Sequence, residues 1–101
     1  MNTIYETETF SNWLAKLKDR QGKARILARI ASAKAGNFGD CEPIGEGVSE
    51  MRIHFGPGYR LYFAQEDKRV YLLIIGGDKS EQKRNIGDAK IMWRAIKGEG
   101  S

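Results

Sequence analysis

The stretch MRIHFGPGYRLYFAQEDKRVYLLIIGGDK, residues 51–79, decides the fold, because it predicts three consecutive β-strands. In the first, Met51 to Phe55, apolar and polar side chains alternate with the period of two that is typical of a half-buried strand. A Gly-Pro-Gly turn and a polar turn lead to further strands at Tyr59 to Ala64 and Arg69 to Ile75. Such short turns predict an antiparallel meander, whose apolar third strand should lie centrally with both faces covered.

Upstream of the meander, the sequence predicts an edge strand at Thr3 to Thr7 and two helices. The first helix is expected to end near Lys18 and Asp19, and Gly36 is expected to stop the second. The apolar stripe of the first helix, spaced at i, i+3, i+4 and i+7, comprises Phe10, Trp13, Leu14 and Leu17. The predicted buried face of the second comprises Ala24, Leu27, Ala28 and Ala31, with Ile26, Ile30 and Ala33 beside them. The residues predicted to face outward from it are Arg20, Lys23, Arg25, Arg29 and Lys34.

The remaining segments complete an α+β prediction. Residues 36–47, GNFGDCEPIGEG, are rich in glycine and predict a loop with a net negative charge. Asp78, with Glu81 three residues later, predicts the start of a short helix to Arg84. Asn85 and Asp88 repeat this pattern before a last helix, whose apolar stripe comprises Ala89, Met92, Trp93 and Ile96. The prediction is therefore one domain, residues 1–97, with a helical hairpin packed on one side of a mostly antiparallel sheet, and a disordered tail at residues 98–101.

Composition and charge narrow the function classes. The 101 residues suit one domain with a single core, and Cys41 is the only cysteine, which excludes an intramolecular disulfide. No window approaches the roughly 18 apolar residues of a membrane span, so a cytoplasmic location is expected. The net charge of +4 comes from residues 51–101, with ten basic and six acidic residues; residues 1–50 hold seven of each. This uneven charge favours a polyanionic partner such as nucleic acid, although a basic soluble surface explains it equally well.

Four side chains on the first two meander strands form the most informative set. Arg52 and His54 are two residues apart and share one face of a strand, as do Arg60 and Tyr62 on the next. Lys79 follows the third strand at a helix start, where free N–H groups favour a phosphate. Arginines around a tyrosine suit a phosphodiester and a stacked base. The alternative for the same pattern is a solvated charged face.

Other chemically interesting residues have simpler explanations. Trp13 and Trp93 lie on apolar helical stripes and are predicted to pack in the core. Cys41 has no cysteine or histidine partner at the spacing of a metal site, so no metal or other cofactor is expected. The segment from Gly76 to Lys79 lacks the spacing of a nucleotide-binding loop.

These elements, in this order, resemble the RelE/ParE toxin superfamily of bacterial type II toxin–antitoxin modules, and the likeness covers nearly the whole chain. The segment from Gly58 to Leu61, Gly-Tyr-Arg-Leu, opens the second meander strand as in that superfamily. Together with Glu50 to Arg52, and with Gly76 to Lys79 before Gln82, it is similar to the HigB-like branch of phage-related addiction-module killer proteins. The expected fold is therefore RelE-like.

The resemblance implies a metal-independent, ribosome-dependent mRNA endoribonuclease that inhibits translation. The arginine that holds the scissile phosphate in that family matches Arg60, and the two basic residues of the preceding strand match Arg52 and His54 after a one-residue adjustment in the turn. Lys79 matches the basic residue after the last strand. The family's C-terminal tyrosine or histidine has no counterpart here, so His54 is expected to replace it as acid or base. Tyr62, with Lys83 and Arg84 near the start of the last helix, is predicted to bind RNA.

The resemblance leaves two other functions open. ParE-like members are non-catalytic inhibitors of DNA gyrase, and a domesticated member would only bind its antitoxin. A toxin of this branch implies a cognate antitoxin, usually a helix-turn-helix protein of the HigA type, in a toxin–antitoxin hetero-oligomer. The other expected partners are the ribosome and mRNA, with no membrane.

Overall fold

A five-stranded mixed sheet, with helices on both faces, forms the molecule, and the α+β class predicted from the sequence is confirmed. The computed structural model describes residues 1–99. Along the chain the elements are β1 Thr3–Glu6, α1 Glu8–Lys16, α2 Arg20–Lys34, β2 Cys41–Gly45, β3 Val48–Ile53, β4 Tyr59–Asp67, β5 Val70–Gly77, a 3-10 turn Lys79–Glu81 and α3 Gln82–Glu99. The radius of gyration, 12.7 Å, is that of a single domain of about 100 residues.

The strands lie in the order β1-β5-β4-β3-β2. β3, β4 and β5 form the predicted antiparallel meander, and β1 pairs with β5 in parallel. β5 is covered on both faces, as expected, but the middle strand of the sheet is β4. β2 was not predicted, because Pro43 and Gly45 within it are residue types that are typical of a loop. It lies at the edge of the sheet, where a proline costs no ladder hydrogen bond.

The helices α1 and α2 cover one face of the sheet. The stripe predicted for α1 is confirmed, with Phe10 and Leu14 buried against the sheet. The prediction for α2 is right in part: Ile26, Ile30 and Ala33 are buried as expected, with Gly22, but the Ala24, Leu27, Ala28 and Ala31 stripe is wrong because all four are exposed, Leu27 at 48%. The alanines on the opposite side of α2 have the spacing of an apolar stripe. Burial of the isoleucines removes more apolar area from water, so the isoleucine side faces the sheet.

The helix α3 covers the other face of the sheet, over residues of β3, β4 and β5. Its Ala89 and Trp93 pack against Val48, Tyr62, Ala64, Leu72 and Ile74. Asn85 was predicted as a second helix start, but α3 is continuous and the Asn85 side chain is buried within it. The helix also includes Gly98 and Glu99, which were predicted as part of the tail; Gly100 and Ser101 lie outside the described residues. No helix in residues 1–99 is long and apolar enough to cross a membrane.

Candidate functional site

One pocket brings together all four residues predicted to be catalytic. Arg52, His54, Arg60 and Lys79 line a cavity of about 370 Å³ at the turn between β3 and β4. The other lining residues are Ile53, Phe55, Gly56, Pro57, Gly58 and Tyr59. A volume of this size lies within the range of small-molecule sites, which begins at about 300 Å³.

Arg52 and Arg60 are direct cross-strand partners on β3 and β4. Like charges opposite each other in an antiparallel ladder are destabilising, so this pairing needs a compensating charge. Glu50 provides it: one carboxylate oxygen lies 3.8 Å from Arg52 Nη1 and the other 3.6 Å from Arg60 Nε. The three side chains form a charged cluster in which the Glu50 carboxylate pairs with both guanidinium groups.

Glu50 is the residue of this site that the sequence analysis missed. Its side chain is only 2% exposed, and its Oε2 accepts hydrogen bonds from Tyr62 and Gln82, both at 2.9 Å. The available signal was its position two residues before Arg52, which places both side chains on the same face of β3. A carboxylate beside an arginine on a strand face is a candidate ion pair, and here α3 buries it.

Arg60 is held in a fixed orientation at the inner end of the pocket. Its side chain is 12% exposed, and its Nη1 donates a 3.0 Å hydrogen bond to the Gly58 carbonyl. Gly58 has φ +78°, a conformation that favours glycine, and a Cβ there would lie 3.3 Å from Arg60 Nη1. Arg60 Nε has no hydrogen-bond partner among the described residues. This atom is buried and faces Glu50, so the donor that Arg60 can offer a ligand is Nη2, which makes no hydrogen bond within the described residues.

Lys79 forms the other cationic wall of the pocket. Its backbone N–H donates to the Pro57 carbonyl at 3.3 Å, which fastens the start of the 3-10 turn to the β3–β4 turn. Asp78 caps this turn by accepting a 2.9 Å hydrogen bond from the Ser80 N–H, as predicted for a helix start here. No carboxylate within residues 1–99 pairs with the exposed Lys79 ammonium. Lys79 is therefore available to a ligand.

His54 is exposed at the rim and contacts one carboxylate. Its Nε2 lies 2.6 Å from Asp40 Oδ2. A carboxylate only accepts hydrogen bonds, so Nε2 carries the proton, and in the neutral ring Nδ1 is free to act as a base. Hydrogen bonds from His54 and then from Arg52 lower the pKa of Asp40 below its ordinary value. Asp40 is thus an anion that fixes the tautomer of His54.

Arg29, on α2, helps to position the segment that carries Asp40. It was predicted to face outward on α2, but it is half-buried and donates to the carbonyls of Arg52 at 2.6 Å and Phe38 at 3.0 Å. Those contacts join α2 to both β3 and the segment that carries Asp40. Arg29 is engaged with backbone carbonyls, so it is a positioning residue for the rim.

The predicted RNA-binding residues lie elsewhere. Tyr62 is fully buried and bonded to Glu50, so its ring cannot stack on a base; that prediction is wrong because α3 covers this part of the sheet. Lys83 and Arg84 are exposed on the first turn of α3, and Arg84 pairs with Glu81. Neither lines the pocket, and their contact with RNA stays a prediction. Within residues 1–99, no cluster of three or more His, Cys, Asp or Glu side chains could hold a metal ion.

Comparison with known proteins places the chain in a family. No family model matches it. It is similar to an uncharacterized protein of Haemophilus influenzae, with 44% identity over 93 residues, which cover 92% of this chain and 94% of that protein. Identity at this level over nearly the full length of both chains indicates common descent. The chain therefore belongs to the same family as this Haemophilus influenzae protein.

Proposed function

We propose that this protein is the toxin of a type II toxin–antitoxin module, of the HigB-like branch of the RelE/ParE superfamily, and that it cleaves mRNA on the ribosome. The support is the resemblance of the motifs from Glu50 to Gln82, together with the pocket in which the residues of those motifs meet. The proposed fold type is accordingly RelE-like, and the proposed location is the cytoplasm.

The observation that carries this proposal is the juxtaposition of Arg52 and Arg60 in one pocket with Lys79. Glu50 offsets the repulsion between the two opposed arginines, and Lys79 adds a third cation that has no carboxylate partner among residues 1–99. Arg52 is already paired with Asp40 and Glu42, at 3.3 and 2.8 Å. Among the described residues Lys79 has no carboxylate partner, and Arg60, although paired with Glu50, makes no hydrogen bond through Nη2; a phosphate that bridges these two cations would use both.

The chemistry that suits such a site is cleavage of RNA by its own 2′-OH. The 2′-oxygen forms a bond to the adjacent phosphorus while the bond from phosphorus to the 5′-oxygen breaks, so that a cyclic phosphate and a free 5′-hydroxyl result. Negative charge builds up on the phosphate oxygens in the transition state. Cations that are already oriented there, here Arg60 and Lys79, stabilise that charge without reorganisation.

His54 is the residue best placed to move protons in this reaction. With Nε2 bonded to Asp40, its Nδ1 can take the proton from the 2′-OH, or, once protonated, give one to the departing 5′-oxygen. General acid–base help of this kind contributes about 10²- to 10⁴-fold in rate. Asp40 acts through His54 and is a positioning residue.

The test is to map the 5′ ends of cellular messages after brief induction, with the parent and with Lys79→Ala. The parent is expected to arrest growth and to produce cuts spaced by codons. Lys79→Ala is expected to remain folded, because an exposed substitution changes stability by about 0.5 kcal/mol or less, and to lose about 10²- to 10³-fold in cleavage. The exposed Lys68, outside the pocket, provides the matched control Lys68→Ala.

Arg60 needs a different substitution, because it is mostly buried beside Glu50. Arg60→Lys retains the charge but loses the planar fork of donors, and it is expected to reduce cleavage strongly. Uncut messages during growth arrest by the parent, together with inhibition of purified gyrase, would overturn the ribonuclease and support the ParE-like alternative. A Lys79→Ala protein that cuts at the parental rate would remove the proposed active site.

A further inference from the structure

A second groove adjoins the pocket and shares Ile53, His54 and Phe55 with it. Its volume is about 380 Å³. Four residues of α2 complete its lining: Arg25, Ala28, Arg29 and Ser32. The two cavities therefore have the segment 53–55, at the end of β3, as a common wall.

The groove contains a stacking surface. The guanidinium carbon of Arg25 lies 4.3 Å from the centroid of the Phe55 ring, in a cation–π contact. Aromatic rings and guanidinium planes are the groups on which proteins stack unpaired nucleobases. Ala28 leaves space beside this pair, and the Ser32 hydroxyl offers a donor and an acceptor for the edge of a base.

The charge of the groove indicates what kind of ligand it suits. Two arginines and a histidine lie among its described lining residues, and none of those residues is acidic. Such a lining attracts a polyanion, and the neighbouring Asp40 carboxylate is already paired with His54 at 2.6 Å and with Arg52. An apolar peptide side chain would suit Ile53 and Phe55 but would leave the cationic rim without a partner.

We propose that this groove is a nucleobase subsite, which takes one unstacked base of a single-stranded RNA while the neighbouring phosphate lies between Arg60 and Lys79. This inference rests on the proposed function and adds to it a site on α2. The base stacks on Phe55 and Arg25, and the shared segment from Ile53 to Phe55 connects base to phosphate. The strand therefore enters the pocket from the side of α2.

The experiment measures binding of a deoxydinucleoside monophosphate, which has no 2′-OH and cannot be cleaved, and of its two analogues that each lack one base. For the parent protein, one of the two analogues is expected to bind about 10-fold more weakly, because stacking one base contributes on this order. Ala28→Phe fills the groove and is expected to bind all three compounds with that weaker affinity. The control Ala24→Phe adds the same ring at an exposed position of α2 outside the groove and should behave as the parent.

The possible outcomes distinguish failure of the subsite proposal from failure of the proposed function. Equal affinity of the parent for all three compounds, with weaker binding by Lys79→Ala, would overturn the subsite and leave the phosphate site intact. Binding that Lys79→Ala does not weaken would remove the phosphate site itself, and no binding by the parent would overturn both. If Ala28→Phe instead abolished binding of a protein partner and left the affinities for the nucleotides unchanged, the groove would be a protein-docking site and the subsite proposal would be wrong.

Discussion

Glu50 and Tyr62 face each other across β3 and β4, and the Tyr62 hydroxyl donates a 2.9 Å hydrogen bond to the buried Glu50 carboxylate. Burial, and then this hydrogen bond, raise the pKa of Tyr62, so its hydroxyl keeps its proton at neutral pH. Tyr62 therefore holds the Glu50 carboxylate near Arg52 and Arg60 through a neutral hydroxyl. The negative charge of Glu50 remains available to the two arginines. The cationic pocket is thus balanced from inside the protein.

We expect Glu50→Gln to lower the free energy of unfolding by about 3 kcal/mol, because it leaves two opposed arginines without their buried counter-charge. Urea denaturation of the two proteins measures this difference. The control Glu66→Gln removes one exposed charge outside the pocket and should change stability by about 0.5 kcal/mol or less. Equal stability of Glu50→Gln and the parent would show that the Glu50 charge does not hold the arginine pair.

Trp93→Ala is expected to destabilise the protein by about 3 to 5 kcal/mol, because its ring is 6% exposed and packs between α3 and the sheet. Trp13→Ala should cost a similar amount. Although half-buried, the Trp13 ring lies directly over Gly76, where a Cβ would overlap it, and contacts Phe10. Thermal melts check both variants. Midpoints within a few degrees of the parent would contradict this packing role.

The contribution of Asp40 to stability is expected to depend on pH. The pKa of Asp40 is lowered from 3.8 in the folded protein, so its contacts with His54 and Arg52 add stability that is present above that value. This stability is lost as the pH falls through the folded pKa. Asp40→Asn should therefore melt below the parent at about pH 6, and the two melting curves should converge in acid. A difference that persists below the folded pKa would show that the Asp40 charge is not its source.

The proposed antitoxin is expected to bind the basic half of the chain with acidic and apolar residues. Ile91 is 60% exposed on α3 and is the natural apolar anchor there. Ile91→Asp should weaken co-purification of the protein encoded next to this one by about 10-fold. Leu27→Asp, at a position 48% exposed on α2, is the matched control. If no neighbouring protein binds or protects the cell, the toxin–antitoxin proposal fails.

Much of the fold could be predicted because its signals are local. Alternation along residues 51–55 correctly assigned Met51 and Ile53 to the face under the first two helices, and the short turns correctly predicted the meander. The same patterning placed Arg52, His54 and Arg60 on one side; Arg52 and Arg60 are cross-strand partners, and Arg52 and His54 both contact Asp40, as this predicts. Period-two patterning is sufficient for this, since neighbouring strands share their faces.

The features of the site that could not be predicted depend on contacts between residues far apart in the sequence. The face with Arg52 and Arg60 was expected to be open, yet α3 buries Glu50 and Tyr62 there, and their burial follows from contacts with residues such as Gln82, 32 positions from Glu50. The partner of His54 is Asp40, in a segment that read as a loop. A pattern along the chain gives the face of a residue, but the element that covers that face is set by tertiary packing.

Because Arg52 and Arg60 are paired through the hydrogen-bonded ladder of β3 and β4, their separation is set by the backbone register. The turn between the two strands does not set this separation; its Pro57 and Gly58 instead hold Lys79 and Arg60 through their carbonyls. A slip of one residue in the register has the opposite effect, since it would send one arginine into the core beneath the helices. Relatives of this protein should accordingly preserve the pairing of the strands that flank the turn.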